Sequence, residues 1–108
     1  MTKALDEATR AGVAHYTVGH VGDGNFHVAY LIDPAVPGEF EAAEALNVSV
    51  VSRALRLHGT CTGEHGVGLH KQDFLLEEAG AGAVEMMRTI KRALDPKNIM
   101  NPGKIFAW

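Results

Sequence analysis

His15-Tyr16-Thr17-Val18-Gly19-His20-Val21-Gly22-Asp23-Gly24-Asn25-Phe26-His27-Val28-Ala29-Tyr30-Leu31-Ile32 is the stretch on which the fold turns. Two runs rich in β-branched and aromatic side chains flank Asp23-Gly24, the dipeptide that most favours a two-residue hairpin loop. An antiparallel strand pair is predicted, with Gly22 opposite Asn25, Val21 opposite Phe26 and His20 opposite His27. Side chains alternate between the faces of a strand, so Asn25, His27 and Ala29 share one face. Phe26, Val28, Tyr30 and Ile32 share the other, which is expected to pack on a core.

Outward from the hairpin, clusters of Gly, Pro and Asp near Gly22, Pro34, Gly63 and Pro96 cut the chain into elements, and no internal repeat interrupts them. Residues 2–11 are good helix formers ending at Gly12, a residue type that closes helices in the left-handed conformation. Over 39–57, Ala43, Leu46, Val50, Ala54 and Leu57 recur at the spacing of one helical face, and His58 with Gly59 supplies a stop. Thr60-Cys61-Thr62 reads as a third strand leading into a loop with glycines at 63, 66 and 68. Helix-forming residues resume near His70, and an amphipathic helix over 83–94 presents Ala83, Met87, Ile90 and Leu94 before Asp95-Pro96 ends it. Asn101-Pro102-Gly103-Lys104 matches a type II turn. The order predicts an α+β fold, a ferredoxin-like half-domain with an antiparallel sheet and helices packed on one face.

At 108 residues the chain has room for one small core. A net charge of -3 gives no electrostatic reason to bind nucleic acid or an anionic membrane. No apolar run approaches the ~20 residues of a transmembrane helix, and the N-terminal residues lack a signal peptide's hydrophobic stretch. One cysteine, Cys61, rules out an internal disulfide framework and fits a reducing compartment. The expected location is the cytoplasm or the mitochondrial matrix, with peripheral attachment to a membrane electron-transfer chain as a variant.

Chemistry concentrates in two places. Opposed on a hairpin, the imidazoles of His20 and His27 could share one ion, although a lone histidine pair is more often a surface or hydrogen-bonded one. Gly63-Glu64-His65-Gly66 shifts the balance, because a carboxylate and an imidazole sit there between glycines that allow close backbone approach. Glu64 would complete a two-His, one-carboxylate set suited to Zn, Fe or Mn, with positions open for substrate. Adjacent residues seldom share one ion, which leaves His65 as the candidate general base beside the metal. Asp23 is explained by turn chemistry. Lys71, with His70 at a helix start, is a candidate contact for a substrate carboxylate, against the competing reading of solvated polar residues. Cys61 has no assignable activating base and reads as a small strand residue, and Met86-Met87 as core.

Three blocks carry a resemblance: residues 19–27, Gly59-Thr60-Cys61-Thr62-Gly63-Glu64-His65-Gly66-Val67-Gly68, and Leu94-Asp95-Pro96 with Asn101-Pro102-Gly103-Lys104. Together they resemble the C-terminal domain of FAD-linked oxidases, the group containing D-lactate dehydrogenase and glycolate oxidase. The resemblance implies that His20, His27 and Glu64 hold a divalent metal, commonly zinc, that binds the substrate's hydroxyl and carboxylate. It also implies that His65 takes the hydroxyl proton while hydride passes from C2 to the flavin of FAD. Asn25 and Lys71 are its substrate-side candidates, and Asn101 and Lys104 would help seat the isoalloxazine ring. Phe26 and the Thr60-Cys61-Thr62 lead-in are most similar to cytochrome-linked D-lactate dehydrogenases, and dicarboxylate-handling members often carry Asn at the place of Ala29.

Family enzymes are several times longer, so residues 1–108 correspond to the C-terminal part of the substrate (cap) domain. The expected partners are a small 2-hydroxy acid and an FAD-binding domain or subunit that this chain lacks, without which turnover is not expected. Two readings compete: a stand-alone metal-binding module using only His20, His27 and Glu64, and a module that pairs two copies through a sheet edge. Apolar surface left uncovered on the 43–57 helix or the sheet would favour a homodimer.

Overall fold

The computed structural model describes all 108 residues. The chain forms α1 (Thr2–Arg10), β1 (Ala14–Val18), a 3-10 turn (Val21–Asp23), β2 (His27–Leu31), α2 (Glu39–Arg56) and α3 (Gln72–Leu94). It divides into two compact units, Met1–Arg53 and Ala54–Trp108. The class is α+β, as expected, and the α1-β1-β2-α2 run has the element order found in the middle of a ferredoxin-like motif.

In the first unit, α1 packs on β1 and buries Ala4 and Ala8. Gly12 adopts φ +71 and donates its N–H to Thr9 O at 3.1 Å, while Val13 N donates to Ala8 O at 3.1 Å, the paired bonds of a Schellman close. From α2, Ser49 Oγ donates to Glu7 Oε2 at 2.8 Å and Arg53 donates to Glu7 Oε1, clamping the two helices together. Ala43 and Val51 face inward from α2, and Val13 completes this small core.

The two strands are antiparallel, but the loop is longer and the register differs from the two-residue hairpin. Val18 lies opposite His27, Thr17 opposite Val28 and His15 opposite Tyr30. Residues 19–26 leave the ladder because a 3-10 turn forms: His20 O accepts Asp23 N at 2.9 Å and Asn25 N at 3.2 Å, and Gly24 closes it at φ +75. Asp23 therefore ends a 3-10 turn rather than opening a tight one. Gly19 permits the crossing, since a Cβ there would stand 2.5 Å from Phe26 Cα and 2.6 Å from Asn25 O. The slip is an even number of residues, so it moves partners without exchanging faces. His15, Thr17, Val28 and Tyr30 stay on the less exposed side, whereas Tyr16, Val18 and Leu31 are exposed.

At the α2 terminus, which opens the second unit, Gly59 N donates to Ala54 O at 2.8 Å and His58 N to Leu55 O at 3.0 Å, again a Schellman pair. The left-handed position is taken by His58, at φ +60. Leu57 belongs to this close rather than to the apolar face and is exposed. No third strand forms: residues 60–62 are irregular, because Glu78 Oε2 accepts Cys61 N at 2.8 Å and Thr60 Oγ1 at 3.1 Å where a ladder partner would have been needed.

α3 begins earlier than residue 83 and is interrupted at Gly80, whose φ 80 and ψ 159 divide it into two helical segments. The covered stripe is also displaced from the expected one. Val84 is buried and Met87, Arg88 and Lys91 are half-buried, while Ile90 and Leu94 are exposed. The C-terminal tail explains the shift: Arg88 Nε donates to Ala107 O at 2.8 Å, its guanidinium lies 5.9 Å from the Phe106 ring, and Lys91 and Arg92 flank the Trp108 ring at 5.8 and 5.9 Å. Cations over aromatic faces are attractive, and their aliphatic stems cover the helix.

Asp95 ends α3 and is buried. Its Oδ1 accepts Ile99 N at 3.1 Å and its Oδ2 accepts Met100 N at 2.9 Å and the Lys91 ammonium. The Lys91 bond and these two amides hold its carboxyl below the usual range.

Candidate metal and proton-transfer site

In the first unit, His27 opens β2 half-buried, and the alternation of the strand keeps it on the face opposite Val28 and Tyr30. His20 is not its cross-strand partner, because Val18 occupies that place. His20 instead stands exposed at the head of the 3-10 turn, with φ -98 and ψ 73. Asn25 is half-buried in the same loop, two residues before His27.

In the second unit, the glycine-rich loop is pinned on both sides. Thr62 Oγ1 donates to Gly66 O at 3.1 Å across the segment that carries Glu64 and His65. Glu64 Oε2 and His65 Nε2 lie 3.9 Å apart, with side chains 38% and 76% exposed. Glu64 and His65 are consecutive in the chain, and their side chains stay on neighbouring ground within the loop. Lys71 is half-buried at the N-cap of α3, and His70 is exposed.

Cys61 precedes this loop. Burial first, then the Glu78 carboxylate, pushes its thiol up to about 11, so thiolate is scarce at neutral pH. Cys61 is therefore a packing residue, though in an irregular segment rather than a strand. Glu78 is held below its usual range chiefly by the Cys61 amide.

The turn at 101–104 forms as expected: Lys104 N donates to Asn101 O at 3.3 Å and Gly103 takes φ +71, the positive value that a type II turn requires at its third residue. Asn101 and Lys104 are exposed. Two residues outside the sequence-derived set hold this region. Glu78 fixes the lead-in to the glycine loop, and Gln72 Nε2 donates to Gly103 O at 2.7 Å. Neither carries a local signal, because each partner lies many residues away along the chain.

Comparison with known proteins bears directly on these motifs. The family model for the C-terminal domain of FAD linked oxidases matches residues 1–105. The mitochondrial D-lactate dehydrogenase (cytochrome) 1 of Saccharomyces cerevisiae is 56% identical over 89 residues, which cover 82% of this chain and 15% of that protein. Glycolate oxidase subunit GlcD of Bacillus subtilis is 39% identical over 108 residues, covering 99% of this chain and 23% of that protein. D-2-hydroxyglutarate dehydrogenase of Stutzerimonas stutzeri is 38% identical over 91 residues, 82% of this chain and 20% of that protein. The chain spans less than a quarter of the length of each of these relatives. With its three motif blocks inside the matched region, the chain belongs to the FAD linked oxidases as a C-terminal domain of that family.

Proposed function

We propose that this chain is the metal-binding and proton-transfer portion of a flavoprotein that oxidises a D-2-hydroxy acid, D-lactate or glycolate, to the 2-oxo acid. The observation that carries the proposal is the naming of its relatives as dehydrogenases or oxidases of D-lactate, glycolate or D-2-hydroxyglutarate. Ala29 stands where dicarboxylate-handling members often have Asn, which favours a monocarboxylate.

Two imidazoles and a carboxylate form a donor set that suits Zn and also Fe or Mn, so the residues fit a catalytic divalent ion. By the family resemblance, His20, His27 and Glu64 are the residues that would hold it. A divalent ion held there would supply acidification of a substrate hydroxyl, and FAD, held mainly by the remainder of a longer or two-subunit protein, would supply the acceptor for the C2 hydride. His65 takes the hydroxyl proton on an imidazole nitrogen, so loss of one proton and one hydride converts the hydroxy acid to the oxo acid. Asn25 and Lys71 are the residues that would bind the substrate carboxylate, and Asn101 and Lys104 those that would help seat the ring. No helix is long and apolar enough to cross a membrane. The mitochondrial naming of the Saccharomyces and Arabidopsis relatives supports an aqueous compartment such as the matrix, next to a membrane-bound acceptor.

Elemental analysis and anaerobic flavin bleaching test the proposal on the flavin-loaded protein that contains this chain. One divalent ion per chain is expected, lost in His27→Ala and retained in His70→Ala. D-lactate or glycolate should bleach the flavin, roughly 10²–10⁴-fold more slowly in His65→Ala. Bleaching at an unchanged rate in both the His27 and His65 variants would overturn it.

A further inference from the structure

The turn at 101–104 is tied to the end of the glycine-rich loop and to the start of α3, by one hydrogen bond each, neither of which its own sequence requires. Ile105 N donates to Gly68 O at 2.8 Å, and Gln72 Nε2 donates to Gly103 O at 2.7 Å. Gly68 ends the loop that carries Glu64 and His65, and Gln72 is the first residue of α3, so the loop, the helix start and the turn share one small hydrogen-bonded ring. The turn also contains an uncommon conformation: Ile105, a β-branched residue, takes φ +73, and Asn101 takes φ +47. A β-branched residue holds a left-handed conformation only where surrounding contacts over-determine it. At Ile105 that contact is the Gly68 carbonyl, and the Gln72 amide holds Gly103 two residues before it. On the far side, Lys91 Nζ donates to Met100 O and Arg88 Nε to Ala107 O, so the segment is anchored before and after the turn as well.

We propose that Gln72 is a positioning residue that locks the 101–104 turn to the start of α3, directly after the Glu64-His65 loop, and so supports the Gly68–Ile105 bond that holds the flavin-side turn beside the segment carrying the proton acceptor. The inference rests on the flavin and proton-transfer roles proposed above for the turn and for His65. It assigns to Gln72 a function that no contact with substrate or flavin supplies. Hydride and proton leave the same substrate carbon and its oxygen, so the groups serving the two transfers must keep one geometry, and a small displacement of either slows the reaction. A side-chain amide suits the task because its N–H donates to Gly103 O at any pH, whereas the isosteric carboxylate is only an acceptor when ionised.

Gln72→Ala and Gln72→Glu test the proposal in the protein that contains this chain, both loaded with flavin and stripped of it. In the stripped form, amide exchange of the peptide spanning residues 103–106 should rise about tenfold in both variants, the loss expected for one hydrogen bond, while the peptide over 84–92 is unchanged. In the loaded form, both should shift the flavin absorption band and lower kcat about tenfold with KM changed less than twofold. Unchanged exchange in both variants overturns the positioning role, and the flavin reading of the turn is then judged separately from the spectra of Asn101→Ala and Lys104→Ala. Increased exchange with a flavin band that none of the Gln72, Asn101 and Lys104 variants moves overturns the flavin reading, and the proposal with it.

Discussion

Gly19 and His58 are two positions where the backbone asks something particular of the side chain, and they answer in opposite ways. Gly19 needs the absence of a Cβ, because a methyl group would meet Phe26 Cα at 2.5 Å. Gly19→Ala should destabilise the first unit by roughly 2–4 kcal/mol, read by urea unfolding, since strand backbone rather than a flexible side chain must move. His58 takes φ +60 where glycine is the usual occupant. His58→Gly is expected to stabilise by about 0.5–1 kcal/mol in the same assay, and a loss instead would show that the imidazole contributes more than the backbone strain costs. The sequence placed a stop at His58 and Gly59 correctly but could not apportion their roles. Gly59 eases a close approach, a Cβ there lying 3.0 Å from Ala54 O, and that contact exists only once the helix has ended.

Helices were legible in this chain because their signals are local and repeated; the strand register was not. A Schellman close at Gly12 and a helix over Glu39–Arg56 follow from spacing and a terminal glycine. Asp23-Gly24 pointed to a two-residue loop, yet the His20 carbonyl accepts two amides and draws residues 21–23 into a 3-10 turn. The even slip kept His27 on its predicted face, so the face assignment at that candidate ligand survived a wrong partner. Thr60-Cys61-Thr62 failed as a strand because a distant helical carboxylate satisfied the Cys61 amide and the Thr60 hydroxyl satisfied that of Thr62. Carboxylates also join the elements. Glu7 is held below its usual range chiefly by Arg53 and then Ser49, Asp95 by Lys91 and the Met100 and Ile99 amides, and Glu85 by Arg88 and Arg92. Each has a folded pKa below its unfolded one, so its stabilisation is complete above the ordinary carboxylate value of about 4 and fades as pH falls toward the folded value. Thermal melts should therefore show a lower Tm at pH 3 than at pH 7. Glu7→Gln should lower Tm by about 5 °C at pH 7, with a gap to the parent that closes toward pH 3.

Across the whole chain, no large side chain is fully buried, and Leu94, Leu57 and Ile99 are each at least 75% exposed. Periodicity located apolar stripes, but what covers a stripe is a tertiary fact. On α3 the aromatic tail chose the Arg88 and Lys91 side over the Ile90 and Leu94 side through cation–π contacts that no residue spacing encodes. The site divides along the same line: the motif blocks made its candidate chemistry legible, while Gln72 and Glu78 became visible only when partners far along the chain met. One of those meetings turns Cys61 into a clock. It is the only thiol, it is buried, and Glu78 clasps its amide, so a thiol-specific reagent can label it only while this segment is open. With reclosing fast relative to labelling, the labelling rate at pH 8 reports the fraction of time for which the strap that leads to Glu64 and His65 is open. Glu78→Gln should quicken it about tenfold. Slowing of that clock on adding a divalent ion or a 2-hydroxy acid would register ligand arrival at the loop without any turnover, through the one sulfhydryl the chain possesses.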